Sequence, residues 1–422
     1  MSMGIVSSRG AAIAERIPSF FDVLQNLWDP INKPNGVVNL GLAENALMQT
    51  EMQQFLNSKV RNYTPWADPH SLTYGDGFTG SDRLKSALCG FLNQQFSPCR
   101  PVIPSHLLVT SGASNAIECC AWSLCDPEDY VLIGRPYWTT FKTMFANRAR
   151  VNVQEVEFGS TDPFSLEAVE HYEETYREAR QSGKNIRAIL LCNPHNPLGR
   201  CYSKKVLERY MKFCHHKQIH LISDEIYALS VHTEAFGEPF TSALSIETQS
   251  LIEPELVHVV WGMSKDFGAT GLRIGCLVNQ SNELFLKAST SISLFNFPSS
   301  LADNAVAAMF ADRGFTDNFI TVYRKRLHDS YEHMMKTLES HGIPCQKSNA
   351  TLFIWANLRA AIKDDSIKDD DILRRCREEG VYITSGEGYR SEYSGWFRIV
   401  FAHPKQTLDE GLRRIIRTLE TL

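Results

Sequence analysis

The sequence predicts an α/β fold: a large domain whose mainly parallel sheet is sandwiched by helices, and a smaller α+β domain. Three observations carry this. Short, continuously apolar, β-branched runs recur through the middle of the chain, each followed by a polar turn and a helical stretch. That is the pattern of parallel strands buried on both faces. After about residue 300 the pattern changes to one long helical stretch followed by shorter strands. The 422 residues, 43% hydrophobic and 22% charged, suffice for one large core and a smaller one. The expected division is 46–300 for the large domain and 1–45 with 301–422 for the small one.

Within residues 1–35, Ile17, Phe20, Phe21, Val23, Leu24 and Leu27 recur at helical spacing until Asp29-Pro30 ends the pattern. Val37 to Asn45 reads as a short strand running into a polar turn, and 51–60 as a helix. A Gly-rich loop at 72–80 precedes a helix at 82–96. Strands are expected at 106–110, 130–133, 186–191, 219–222, 257–260 and 275–278. Ser111-Gly112-Ala113-Ser114 opens a helix after the first of these, and Ser203 caps another that runs to about His216. A long helix from about Thr316 to His341 stops at Gly342. Strands follow at 351–355, 381–384 and 396–401, and Thr407-x-x-Glu410 reads as the capping box of the last helix. The charged run 364–371 reads as a solvated loop. No repeat or low-complexity segment is present.

A net charge of −5 with no long basic run argues against nucleic acid or an anionic membrane as a partner. Eleven scattered cysteines include no Cys-x-x-Cys pair, which points to buried free thiols in a reducing compartment; no metal site is expected. The first twenty residues lack the apolar core of a secretory signal. No stretch is apolar enough to span a membrane. A cytoplasmic location is the resulting expectation.

The most informative stretch is Val259 to Gly275, where an apolar run ends in Ser264-Lys265, a Gly-rich turn follows, and Arg273 stands eight residues past the lysine. Burial disfavours a lysine's charge and lowers its pKa, which makes sense if the amine must be a neutral nucleophile. Arg273 stays charged and implies an anion, with phosphate the natural candidate. Two readings stand at this point: Lys265 holds an aldehyde cofactor as a Schiff base while Arg273 holds its phosphate, or a surface loop carries two solvated cations.

Open α/β sheets bind ligands beyond the carboxyl ends of their strands, and further polar groups fall there. Each has a job in a pyridoxal phosphate site and a plainer alternative. Asp224 can face a pyridinium nitrogen and keep it protonated, or cap a helix. Asn196 and Tyr227 can donate to the ring oxygen, or serve turn chemistry and a core aromatic with a satisfied hydroxyl. Gly112-Ala113-Ser114 is a phosphate cup at a helix N-terminus, or an ordinary capped helix. Trp138 can stack on the ring, or fill the core.

In this order the motifs resemble those of the fold-type I pyridoxal phosphate enzymes, class I/II aminotransferases in particular. Within them the chain is most similar to 1-aminocyclopropane-1-carboxylate synthase and its fungal-type relatives. The matching segments are Leu40 to Asn45, Asn193 to Gly199, Ser223 to Tyr227, Ser264 to Asp266 and Gly395 to Arg398. The resemblance implies pyridoxal 5'-phosphate as cofactor and Lys265 as its attachment point and the base. It implies Asp224 against the ring nitrogen, and Asn196 and Tyr227 on the ring oxygen, with Tyr227 also counted as catalytic. It places Ala113, Ser114, Ser264 and Arg273 on the phosphate, Trp138 on the ring, and Arg398 on the α-carboxylate of an amino acid substrate. Arg398 in an apolar strand has a structural ion pair as its alternative. Glu44 borders the substrate in this family, or supplies a charge to a following helix. A homodimer with active sites at the subunit interface is also implied, with Tyr74 reaching the partner's phosphate; Phe78 fits another alignment. Three positions depart from the synthase pattern: Gly262 replaces a phosphate-binding Ser, which implies a looser cup; Trp138 replaces a Tyr; Ser385-Gly386 replaces Pro-Gly. The expected reaction is carbon–sulfur cleavage by elimination or cyclisation on a sulfur-containing amino acid. An aminotransferase is the alternative, and a non-catalytic cofactor-binding regulator the alternative of another class.

Overall fold

The computed structural model describes residues 21–62, 72–364 and 366–422. The central sheet has seven strands: β2 (Leu107–Ser111), β3 (Tyr130–Gly134), β4 (Asn152–Val156), β5 (Ile186–Cys192), β6 (His220–Asp224), β7 (Val257–Gly262) and β8 (Ile274–Val278), in spatial order β2-β8-β7-β6-β5-β3-β4. All pairings are parallel except those of β8, which runs antiparallel to both neighbours. The reason lies in the connection. The strands from β2 to β6 are joined in turn by helical crossovers, and β6 is joined to β7 by the long segment 225–256, whereas β7 and β8 are joined only by the short helix Met263–Asp266 and a 3₁₀ turn, too short to return the chain for parallel pairing. Consequently the turn carrying Lys265 and Arg273 sits at the same end of the sheet as the carboxyl ends of β2, β5 and β6.

The second sheet is antiparallel, with order β12 (Thr384–Ser385), β13 (Trp396–Val400), β10 (Phe353–Asn357) and β9 (Cys345–Gln346). A two-stranded parallel pair joins β1 (Val38–Asn39) to β11 (Val381–Tyr382). Arg414, buried on the last helix, fastens this region by donating to the carbonyls of Gly36 and Gly380, both at 2.8 Å.

Most expected elements form within a few residues of their place. Ser203 caps its helix by accepting from the Val206 N–H at 3.3 Å. The long helix begins at Arg313 because the Asp312 side chain accepts from the Phe315 N–H. Two expectations are corrected. The last helix starts at Lys405 behind Pro404, so Thr407-x-x-Glu410 is no capping box, and Glu410 pairs instead with Arg413 and Arg414. The charged run 364–371 ends in a helix: Asp369–Glu378 starts with three aspartates in its first turn, where the helix dipole favours them, and Asp369 accepts from the Gly395 N–H. Only the part of the N-terminal amphipathic run from residue 21 lies inside the described residues; it forms the short helix Phe21–Gln25. The edge strand β4 and the helices Thr140–Ala146, Ala168–Gln181, Glu283–Ser293 and Ser300–Ala311 have no counterpart in the sequence reading. β4 is half-buried along most of its length and lacks the apolar run that marks its neighbours. Among the described residues no helix is long and apolar enough to cross a membrane, and all eleven cysteines are free.

Candidate active site

The site is built on the loop Leu40 to Asn45, which is pinned between the two sheets. Leu40 O accepts from the Val400 N–H at 2.8 Å. Arg398 Nη2 donates to Gly41 O at 2.5 Å, and Lys265 Nζ donates to Ala43 O at 2.7 Å. Asn45 Nδ2 donates to Lys265 O at 3.0 Å. Gly268, at φ +59°, lets this turn pass: a Cβ there would lie 2.5 Å from Asn45 O. One short loop therefore ties the arginine on β13 to the lysine after β7.

Lys265 is half-buried. Burial pulls its amine down to about 8, helped by the Arg398 guanidinium and opposed by the Glu44 and Asp224 carboxylates. Asp224, at the end of β6, is 3% exposed. Burial pushes its carboxyl up to about 7, against the Ile226 N–H it accepts at 3.2 Å and the charge of Lys265. Tyr227 is buried with its ring edge-on to Phe353, 5.5 Å between centroids; burial raises its hydroxyl well above the usual range. Asn196 Oδ1 accepts from Arg398 Nη1 at 3.0 Å. Asn193, by contrast, spends its side chain on backbone groups away from Arg398, accepting from the Tyr202 N–H and donating to Thr241 O. Asn193 therefore braces its loop against other backbone, and only Asn196 contacts Arg398.

Arg398 is 4% exposed. Its guanidinium lies 4.6 Å from the Phe353 ring centroid and 4.9 Å from that of Tyr389. Its Nε is buried with no partner, so the ion pair expected as its alternative is absent among the described residues. Glu44 is exposed on the pinned loop, near enough to act on Lys265.

On the other side of Lys265, Gly112 takes φ +78° and no side chain caps the helix Ala113–Leu124 behind it. Arg273 lies across this terminus, donating to Ser111 O at 2.9 Å. A Cβ on Gly112 would come 2.5 Å from Arg273 Nη2. Ser264 is buried nearby, its carbonyl accepting from Thr270 Oγ1 at 3.0 Å. Gly262 pairs with Gly275 across β7 and β8. A Cβ at 262 would meet Gly275 Cα and Ile274 O at 3.1 Å, and one at 275 would meet Ala113 N at 2.6 Å. The missing side chains let β8 and the helix terminus close up, so the backbone here is drawn in where the Ser-to-Gly change alone suggests a looser cup. Gly112→Ala should unfold about 1–2 kcal/mol more easily, because a Cβ resists positive φ, and should bind cofactor more weakly. Melting curves with and without cofactor check this; a wild-type cofactor-induced shift would contradict it.

Trp138 is half-buried and T-shaped to Phe141 at 5.3 Å. Tyr74 is 70% exposed and packs near Phe78 and Phe297, so within one chain it is not brought to Lys265. The sequence reading assigned no role to Asn45, Tyr389 or Asp266. Asp266 anchors the lysine turn from below, accepting from the Leu229 N–H, Ser230 Oγ and Trp261 Nε1. Its position next to Lys265 was the available signal. For Tyr389 the available signal was its place between Ser385-Gly386 and the Gly395 to Arg398 segment.

The donor set fits pyridoxal 5'-phosphate: an amine whose charge burial disfavours, a buried carboxyl for a ring nitrogen, a glycine cradle beside the Arg273 guanidinium for phosphate, and an arginine with an unspent Nε for a carboxylate. The family model for aminotransferase class I and II matches residues 36–415. A probable aminotransferase, sirI, of Leptosphaeria maculans is 34% identical over 383 residues, covering 90% of each chain. 1-Aminocyclopropane-1-carboxylate synthase 7 of Arabidopsis thaliana is 31% identical, covering 93% of this chain and 89% of its own. Among solved structures, aspartate aminotransferase from Thermotoga maritima superposes with a TM-score of 0.76 at 21% identity, over 98% of this chain and all of the other. The fold is thus the aminotransferase fold, and the chain belongs to the aminotransferase class I and II family of pyridoxal 5'-phosphate-dependent enzymes.

Proposed function

We propose that the protein is a carbon–sulfur lyase of this family, acting on an amino acid with a sulfur-bearing side chain by elimination or cyclisation. The observation that carries the reading is the pinned loop: Arg398 and Lys265 grip it at Gly41 and Ala43, and its exposed Glu44 carboxylate lies near enough to act on Lys265. An anionic substrate side chain is repelled there, whereas a sulfonium or other cationic leaving group is attracted.

When bound, pyridoxal 5'-phosphate supplies the electron sink that takes up the charge left at Cα. Ala113, Ser114, Ser264 and Arg273 hold its phosphate, Trp138 covers the ring, Asp224 faces the ring nitrogen, and Asn196 and Tyr227 face the ring oxygen. Arg398 orients the substrate carboxylate, and its unspent Nε adds a donor. Lys265, once its amine is free and neutral, removes the Cα proton. The division at residues 46–300 belongs to the same reading and is supported by the two separate sheets. So does a homodimer in which the exposed Tyr74 completes the partner's phosphate site. The unpaired cysteines support a reducing, cytoplasmic location.

An aminotransferase is the second reading, favoured by the probable aminotransferase at 34% identity. Product analysis separates them. Incubation with S-adenosylmethionine or another sulfur-bearing amino acid should release a thioether or thiol, neutral and acidic amino acids without sulfur should give no keto acid, and Glu44→Gln should raise KM for a sulfonium substrate about fivefold. Accumulation of a keto acid with the cofactor in its amino form would overturn the lyase assignment.

A further inference from the structure

The segment Gly386 to Tyr393 leaves β12 and lies across the edge of the seven-stranded sheet. Polar contacts hold it there. Arg390 Nε donates to both oxygens of Glu155 on β4, at 3.0 and 3.1 Å, and Nη2 donates to Oε2 at 3.1 Å. The Tyr137 hydroxyl donates to the same carboxylate at 3.0 Å, and the Tyr137 N–H donates to Tyr389 O at 2.9 Å. The strap thus grips the large sheet beside Trp138. Its Tyr389 hydroxyl bonds Thr384 Oγ1 at 3.0 Å, and its ring is one of the two against the Arg398 guanidinium.

Two hydrogen bonds and two rings therefore set the orientation of Arg398, and one of those rings is placed by the strap. We propose that the Arg390–Glu155 pair is a positioning device for Arg398: it holds Tyr389 against the guanidinium and so sets the affinity for the substrate carboxylate. This rests on the reading of Arg398 as the carboxylate clamp. Arg390 is half exposed, so the pair adds little to folding stability. Its bidentate fork fixes direction as well as distance, and an aromatic face attracts a guanidinium only when the ring is aligned with it. The pair acts on geometry more than on stability.

The test compares two probes on the holoenzyme. Aminooxyacetate and O-methylhydroxylamine both attack the cofactor carbonyl and bleach its yellow absorbance, but only the first carries a carboxylate. The ratio of their rate constants isolates carboxylate recognition from cofactor reactivity. Arg390→Ala and Glu155→Gln should each lower that ratio about fivefold, the scale of an exposed ion pair, with the O-methylhydroxylamine rate unchanged and Arg390→Lys restoring part of the ratio. Arg398→Ala should abolish the preference altogether. If Arg398→Ala leaves the ratio intact, the clamp reading fails and the positioning role with it. If Arg398→Ala abolishes the ratio while Arg390→Ala and Glu155→Gln keep the wild-type value, the clamp stands and the positioning role is overturned. A parallel fall of both rates in these two variants also overturns it, because the damage then lies in the cofactor pocket at large. Glu155→Gln keeps the side chain's shape and carries the test if Arg390→Ala does not fold.

Discussion

Lys265→Ala is expected to abolish turnover, by on the order of 10⁴-fold or more, since it removes both the nucleophile and the general base. The variant should fold, because Asp266 and Asn45 hold the turn without using the lysine side chain. Borohydride reduction of the wild-type holoenzyme should fix the cofactor on the peptide containing Lys265, and the variant should show no covalent label. A label on another peptide, or a colourless wild-type protein, would sink the assignment. The pH dependence has a definite sign. Burial brings the Lys265 amine down to about 8, and only the neutral amine accepts a proton. Proton abstraction should therefore rise about tenfold per pH unit below about 8 and level off above it. A rate that falls across that range would show that Lys265 does not act as the base.

Asp224→Asn should cost on the order of 10²–10⁴ in turnover with a smaller loss of cofactor affinity. An amide fills the same space but carries no charge to keep a ring nitrogen protonated. The cost is large because the site is dry: burial pushes the Asp224 carboxyl up to about 7, so its charge is uncomfortable until a cation lies against it. Asp224→Glu should recover little, because the extra methylene has no room at a carboxyl that is 3% exposed. Single-turnover bleaching of the holoenzyme with an amino acid, read beside cofactor binding, separates the two effects. Wild-type turnover in Asp224→Asn would refute the pyridinium role.

Family, cofactor and fold class were legible in the sequence because their signals are local. β-branched runs mark strands that must be buried on both faces. Ser264-Lys265 with Arg273, and Asp224 at the end of a strand, are short-range arrangements, and the structure brings them to one end of one sheet. Turn chemistry reads as a stronger fit for Asn193 than for Asn196 in the sequence, and the structure adds their partners: Asn196 reaches Arg398, while Asn193 accepts from Tyr202 and donates to Thr241. Gly262 reads as a lost phosphate ligand in the sequence, and the structure adds that it pairs with Gly275, the residue against the Ala113 terminus. Polar edges gave the least warning: β4 and the helix at Asp369–Glu378 carry little apolar pattern, yet Glu155 and Asp369 on them hold distant parts of the chain.

By itself the sequence determined the chemistry available: which residue types occur, at which strand ends, and hence which cofactor they suit. The tertiary structure alone decided how Arg398 is aimed. Its neighbours Gly41, Asn196, Phe353 and Tyr389 come from four separate stretches of chain, and Glu155 reaches it only through a strap more than two hundred residues away in sequence. The physical reason is that propensity and periodicity act over a few residues, whereas an orientation is set by contacts that exist only after the two sheets have packed.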